Sequence, residues 1–370
     1  MAANVRLFAS WYCSNLILGG AFRMETGNNR LKVHVVSETP FLMKGQGIHT
    51  AFVDCVNLLK NDDDLEVVVN DEGWGDLMHS HTYGPYYFWK GRRYAGRRIY
   101  TVHVIPDSIK GSLPAAKLLM PFVRWYLRKV YSYADICIAI SPHVEKAIKN
   151  LNVATKVVRI FNPIPVDKYK PSPEKRADGR RLLGLPDDAF VVLGVGQIQG
   201  RKGVEDFLEV SKACPELNFV WAGGRPFGIM TEGIIRLNRL IAEAGENVKF
   251  PGMFELEEMP LIYNAADVFL FPSFQENCPL APLEAASAGL PVVYRDLREY
   301  HELYQAPYLM AKDTAEFIQY TKRLASDTAF REQAKHISAE LLRQFEKETI
   351  KQQLRNLYKE ILNGPKRTIA

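Results

Sequence analysis

VLGVGQIQGRKG, Val192 to Gly203, follows an apolar run that begins at Ala189 and precedes VEDFLEVSKA, a segment of helical pattern. Strand, glycine turn and helix in that order suit an anion. Unpaired N–H groups at a helix N-terminus point outward, and glycine lets the backbone come close to a phosphate. The dinucleotide fingerprint requires G-x-G-x-x-G, yet after Gly194 and Gly196 the next glycine, Gly200, falls one residue late. The following strand pattern, NFVWAGGR, ends in Gly223, Gly224 and Arg225 where an acidic residue would hold a ribose. A nicotinamide dinucleotide therefore fits poorly. Arg201 and Lys202 point to a ligand with concentrated negative charge.

On both sides of this turn, apolar strand patterns alternate with helical ones. The first half offers LKVHVVS, LEVVVN, DLMHSH, RIYTVHV, DICIAIS and KVVRIFN; from Phe190 come FVVLGVG, NFVWAGG, NVKFPG, DVFLFPS and PVVYRD. Helix signals lie between them, such as SPHVEKAIKNL, with Ser141 as a cap and Pro142 at the first helical position. The pattern predicts two α/β domains with doubly wound parallel sheets, joined near residues 163–185 by the Pro- and charge-rich NPIPVDKYKPSPEKRADGR. A chain of 370 residues accommodates two such domains. Their ligand would sit beyond the carboxyl ends of the strands, in a shared cleft. Long charged helices close the chain over about residues 313–362.

The five cysteines form no C-x-x-C pair, which argues for reduced thiols, a cytoplasmic setting and no structural zinc. The net charge of +5 is unevenly spread: residues 1–180 hold 25 Lys and Arg against 16 Asp and Glu, and the remainder 22 against 26. Much of the excess lies in KGRRYAGRR and in Lys110–Tyr133, where Arg124, Arg128 and Lys129 interleave with Leu118, Leu119, Phe122, Trp125 and Tyr126. Such a segment suits an anionic membrane interface, the alternative being a surface helix packed on its own domain. Nucleic acid is disfavoured, because the aromatics share one helical segment instead of forming a stacking platform. Residues 1–30, with the short apolar run LFASWYCSNLILGGAF, read as an extension, or as a translated leader ahead of Met24. No segment qualifies as a transmembrane helix.

Chemistry concentrates in FLFPSFQENCPLAPLEAASAGLPVV, Phe269 to Val293. A strand ends near Pro272, a loop carries Glu276, and a helix is expected from Asn277 or Cys278, with Pro279 in its first turn and Gly289 as its stop. Glu284 would then lie more than a turn inside an apolar helix, where a carboxylate needs a partner, either ligand hydroxyls or a local cation. Asp62-Asp63-Asp64 offers a superficial D-x-D for a metal, but its place before a strand reads as a solvated turn. His79 and His81 share one side of a strand without a visible third ligand, which favours cleft lining or core over metal.

These motifs resemble retaining glycosyltransferases of family 4, whose GT-B fold sets two Rossmann-like domains across a central cleft. The resemblance spans about Leu31–Leu362. Glu276 and Glu284 match the family's E-x7-E motif and VGQIQGRKG its strand-turn motif; KGQGIHT, with Gly45 and Gly47, resembles the glycine loop after the first strand, and His103 in YTVHV the histidine facing the donor sugar. Beyond the N-terminal extension over 1–30, it implies an acceptor-binding domain over 31–170, a nucleotide-sugar domain over 185–345, and a closing helix over 346–370 whose return to the first domain is left open. Lys202, with Arg201, would neutralise the departing diphosphate, Glu276 would bind the transferred sugar and Glu284 the ribose, with Gln197, Asn277 and Leu280 in the donor site. Glu276, Lys202 and His103 are the expected catalytic residues. No metal or cofactor is expected beyond the donor. Gln197 stands where the family normally has Arg, and Pro279 where it normally has Gly.

The form G-Q-x-x-x-R-K-G and the basic aromatic segment most resemble the membrane-associated diacylglycerol glucosyltransferases. That branch implies transfer of glucose from UDP-glucose to the 3-hydroxyl of 1,2-diacylglycerol at the cytoplasmic face of a membrane, with peripheral association through the Arg124, Arg128 and Lys129 region. Polysaccharide or phosphatidylinositol-type acceptors, a sugar-nucleotide 2-epimerase and a noncatalytic nucleotide-binding protein are the alternatives.

Overall fold

A computed structural model describes residues 30–39, 47–70, 73–82, 84–94, 97–109, 116–225 and 234–365. Residues 1–29, and with them the proposed extension or leader, lie outside the described residues, as does Gly45. Two six-stranded sheets form, and every recorded strand pair is parallel. The first consists of β1 (Leu31–Val36), β2 (Leu65–Val69), β3 (Leu77–Ser80), β4 (Arg98–Val102), β5 (Ile136–Ala139) and β6 (Lys156–Arg159), in the order β2-β1-β3-β4-β5-β6. The second consists of β7 (Val191–Val195), β8 (Asn218–Ala222), β9 (Val248–Gly252), β10 (Val268–Phe271), β11 (Val292–Arg295) and β12 (Leu309–Ala311), in the order β12-β11-β10-β7-β8-β9. Strands such as β3, β5 and β10 are buried along their whole length, as helices on both faces of a parallel sheet require. The three-residue edge strand β12 is the one strand the pattern did not announce; its short run Tyr308–Ala311 follows Pro307 and is only partly buried.

The strand order decides where the site lies. In the second sheet the winding reverses between β7 and β10, which pair through Val192 with Val268 and Leu193 with Phe269. The loops leaving these two strands therefore diverge to opposite faces and leave a crevice between them. One loop carries Gln197 to Lys202, the other Glu276. The β7 turn is held in shape by two glycines. Gly203 has φ +75° and its Cβ position would fall 2.2 Å from the Pro272 carbonyl oxygen, while a Cβ on Gly223 would lie 1.9 Å from that of Gly196. No side chain fits either place.

The segment read as a linker contains a helix of its own, Pro173–Leu183, capped by Ser172 and ended by Gly184 in the left-handed region. Gly179 packs so tightly on Leu261 that a Cβ would meet its carbonyl oxygen at 2.1 Å. Buried Arg180 donates to the carbonyls of Ala265 (3.2 Å) and Ala189 (2.7 Å). This helix therefore belongs structurally to the second sheet. The last helix, Lys347–Asn363, packs instead on the first. Its Ile350, Leu354, Leu357, Tyr358 and Ile361 are buried at helical spacing among side chains of β1, β3 and the helix Gly47–Lys60.

That return contact corrects the reading of the Asp62-Asp63-Asp64 turn. Asp62 is buried and accepts from Arg355 Nη2 at 2.6 Å, and Asp64 accepts from Arg355 Nη1 at 2.9 Å. Two carboxylates spaced to hold a guanidinium fork need no metal to explain them. The cation was invisible locally because it lies 293 residues away.

Candidate active site

A cavity of about 440 Å³ opens between the two sheets, lined by Gly47, His103, Gln197, Arg201, Lys202, Glu276, Asn277, Leu280 and Glu284 among others. The residues expected in the donor site and at the chemistry, Gly45 apart, thus line one space. At its floor the Lys202 ammonium donates to Glu276, which also accepts from the Ser273 hydroxyl at 2.7 Å. Burial would raise the Glu276 carboxyl, but the charges of Lys202 and Arg201 and these two hydrogen bonds hold it below its ordinary value. Glu276 is therefore ionised. Arg201 is fixed beside the pair: its Nε donates to Gln199 Oε1 at 3.0 Å and its Nη1 to the Gln275 carbonyl at 3.3 Å.

Glu284 occupies the opposite electrostatic situation. Its carboxyl is buried and pushed upward by that burial, against a 2.6 Å hydrogen bond donated by the Tyr263 hydroxyl. The helix bearing it begins at Ala281, not at Asn277 or Cys278, with Pro282 in its first turn, so Glu284 sits in the first turn rather than deep inside. The delay has a physical cause. Asn277 Nδ2 reaches across the cleft to donate to the His103 carbonyl (2.9 Å) and to Ser108 Oγ (2.8 Å), which draws the loop out until the Leu280 carbonyl accepts from Leu283 and Glu284. The expected stop holds: Gly289, at φ +77°, and Leu290 return their N–H groups to Ala286 and Ala285.

His103 from the first sheet lines the facing wall, with His81 and His79 buried next to it. His103 follows β4, and its Nε2 lies 3.0 Å from His81 Nδ1. His79 bonds through Nδ1 to the Tyr358 hydroxyl and through Nε2 to Thr101 Oγ1, both at 2.7 Å. Burial lowers His103 to about 4 and His79 to about 3, so these rings are neutral near pH 7. The fold supplies a third group of metal-ligand type here, Cys55, with one donor atom of each of Cys55, His79 and His81 inside 4.8 Å. Both nitrogens of His79 are already taken by hydroxyls, which agrees with the core reading.

Several contributors gave no local signal. Tyr263 partners Glu284 from a different helix, and Ser273 partners Glu276. Asp54, on the helix Gly47–Lys60, is buried with Oδ2 unpaired, and burial together with the Glu284 charge raises its carboxyl to about 7, Lys168 opposing. Outside the cleft, the helix Ala116–Ser132 buries Leu127, Val130 and Tyr131 and turns Leu118 (82% exposed), Phe122 (63%) and Trp125 (56%) outward. Arg124, Arg128 and Lys129 are exposed beside them. Trp89 is also exposed (60%), and Arg92 stacks on both it and Tyr133, just past the helix end. Among the described residues no helix is long and apolar enough to cross a membrane.

Comparison with known proteins agrees with this architecture. Residues 69–168 match the family described as Glycosyltransferase Family 4, and residues 189–327 that described as Glycosyl transferases group 1. The chain is 33% identical to the alpha-galactosylglucosyldiacylglycerol synthase of Streptococcus pneumoniae over 84% of this chain and 86% of that protein. It is 26% identical to the processive diacylglycerol alpha-glucosyltransferase of Acholeplasma laidlawii over 74% and 81%. Among solved structures, Anabaena HepE in complex with UDP-glucose superposes with a TM-score of 0.70 at 18% identity, covering 89% of this chain and 100% of that one. Sucrose-phosphate synthase from Thermosynechococcus elongatus superposes at 0.71 and 18%, covering 90% and 99%. Paired parallel sheets, a cleft bearing the E-x7-E carboxylates and these likenesses place the chain in glycosyltransferase family 4, with the GT-B fold and with diacylglycerol glycosyltransferases among its relatives.

Proposed function

We propose that this protein is a retaining, metal-independent hexosyltransferase that moves glucose from UDP-glucose to the 3-hydroxyl of 1,2-diacylglycerol in an anionic membrane. The observation that carries the reading is the single cavity in which Arg201, Lys202, Glu276, Glu284 and His103 meet, on a molecule whose first domain exposes a basic, aromatic helix. Without donor, Lys202 is neutralised by Glu276. A diphosphate brings denser charge and competes for Lys202 and Arg201, which frees Glu276 to accept hydrogen bonds from the hexose. Glu284, beside Tyr263, accepts from the ribose hydroxyls. The bond from the anomeric carbon to the diphosphate oxygen breaks, the lipid hydroxyl oxygen bonds to that carbon, and its proton leaves on UDP. Charge developing on the leaving phosphate is met by fixed cations, the electrostatic task a metal performs elsewhere.

A second reading has a specific observation in its favour. The 33% identical relative is named for a galactosylglucosyl lipid, which suits a galactosyl donor and a glucosyldiacylglycerol acceptor. One experiment separates them: each UDP-hexose is paired with diacylglycerol or glucosyldiacylglycerol in anionic vesicles, with chelator present, and UDP release and lipid products are followed. UDP-glucose with diacylglycerol is expected to give an α-glucoside, and Glu276→Ala to stop it. Product only from UDP-galactose and the glycosylated lipid selects the second reading. A changed sugar nucleotide without any acceptor marks an epimerase, and silence in every pairing overturns both lipid readings.

A further inference from the structure

His81 has a feature the reaction just described does not use. Its ring is 3% exposed, its Nδ1 faces His103 Nε2 at 3.0 Å, and its Nε2 is buried with no hydrogen-bond partner. A neutral imidazole carries one N–H and one lone pair, so two neutral rings joined nitrogen to nitrogen have only two arrangements. In one, His81 Nδ1–H donates to His103 Nε2, which leaves a bare lone pair at His81 Nε2 and puts the His103 proton on Nδ1. In the other, His103 Nε2–H donates to His81 Nδ1, which strands an N–H at His81 Nε2 and leaves His103 Nδ1 bare.

The surroundings of His81 choose between them. Burial keeps both rings neutral. The Phe52 ring lies edge-on at 5.9 Å between centroids, too far to receive an N–H on its face. Cys55 belongs to the same tight group of ligand-type atoms, and burial pushes its thiol up to about 12, so it keeps its proton. Its Sγ is a weak donor and a poorer acceptor. A lone pair is tolerated beside an S–H, whereas a buried N–H without an acceptor is among the rarest defects of native proteins.

We propose that His81 is a positioning residue that locks His103 as its Nδ1–H tautomer, so that the ring offers a hydrogen-bond donor, not a lone pair, to a ligand in the cleft. Among the described residues no group bonds to His103 Nδ1, and the backbone is fixed from the other side by Asn277, which donates to the His103 carbonyl. The ring is thus held at Nε2 and at its main chain, with one nitrogen left for the cavity it lines. That the ligand group is a sugar hydroxyl oxygen rests on the proposed function; the tautomer does not.

The test reads the nitrogens directly. Full-length protein labelled with ¹⁵N-histidine, without substrate, gives long-range proton–nitrogen correlations in which protonated and bare ring nitrogens are distinct, and His103→Gln assigns the peaks. The expected result is His103 protonated at Nδ1 and bare at Nε2; a proton on Nε2, or comparable populations of both tautomers, overturns the proposal. His81→Asn places an amide donor near the lost Nδ1, and His81→Leu removes it. The leucine variant is expected to lose at least about tenfold in kcat, as when a catalytic imidazole takes the wrong tautomer, with the acceptor KM changed less than about twofold. The asparagine variant should recover most of that loss and keep the wild-type His103 spectrum. Equal kcat for the two also overturns the proposal. If the leucine variant does not fold, the wild-type spectrum still decides. The spectrum stands whatever the vesicle assay shows, so failure of the donor and acceptor reading is told apart from failure of this one.

Discussion

Lys202 and Glu276 neutralise each other in a site where each is more than four-fifths buried, and in the proposed reaction Lys202 would exchange this partner for the donor diphosphate. Breaking such a pair from one side leaves a charge without compensation, at a cost of about 3 kcal/mol or more, whereas replacing both partners costs far less. Lys202→Met is therefore expected to lose about that much unfolding free energy in urea, while Lys202→Met combined with Glu276→Gln regains most of it. If Lys202 meets the leaving phosphate as proposed, turnover should stay down by roughly 10² to 10³ in both. A double variant no more stable than the single one would deny the coupling. Asp54 gives a second residue-scale prediction. Its folded carboxyl titrates near 7 against an ordinary 3.8, so folding binds a proton between those values and the stability this group contributes is lost as pH rises through them. Asp54→Asn should raise Tm above wild type at pH 8, and the gap should shrink steadily toward pH 4. A gap independent of pH would place the carboxyl elsewhere.

At the scale of the element, the helix Ala116–Ser132 shows how a sequence pattern needs a fold to give it meaning. Leu118, Phe122 and Trp125 recur at helical spacing and could have been core; Leu127, Val130 and Tyr131 are the ones the domain buries. What remains is an apolar stripe edged by Arg124, Arg128 and Lys129. Each such cation near an anionic surface contributes about 1 kcal/mol, so changing all three to Gln should weaken binding to anionic vesicles on the order of 100-fold. Binding of UDP, measured by calorimetry, should be unchanged. Equal vesicle affinity would remove this helix from membrane docking.

For the whole molecule, the closing helix Lys347–Asn363 ties the end of the chain to the first sheet. Arg355 is its anchor, and Asp62, fully buried, depends on it. Arg355→Met is expected to cost about 3 kcal/mol in urea unfolding, against less than about 0.5 kcal/mol for Asp64→Asn, whose carboxylate is 56% exposed. Similar losses from both would mean that the fork, not the buried carboxylate, carries the contact. The two lobes also meet directly at Asn277, which holds the His103 strand end from across the cleft.

Alternation of apolar runs with helical patterns was enough, by itself, to establish two parallel sheets and eleven of their twelve strands, because burial on both faces writes a continuous apolar signature into central strands such as β3, β5 and β10, and shorter apolar runs still mark the partly exposed β2, β6 and β9. The glycine turn with its basic pair and the two spaced glutamates likewise stood out locally, since their chemistry depends on neighbours in sequence. The start of the Glu284 helix, its partner Tyr263, the burial of Asp54 near Glu284, the clamp of Arg355 on Asp62 and the pairing of His81 with His103 were decided only in three dimensions. Each joins groups from different elements, and the energy that selects it, desolvation of a charge or the pairing of a buried polar atom, exists only once the intervening chain has folded and excluded water.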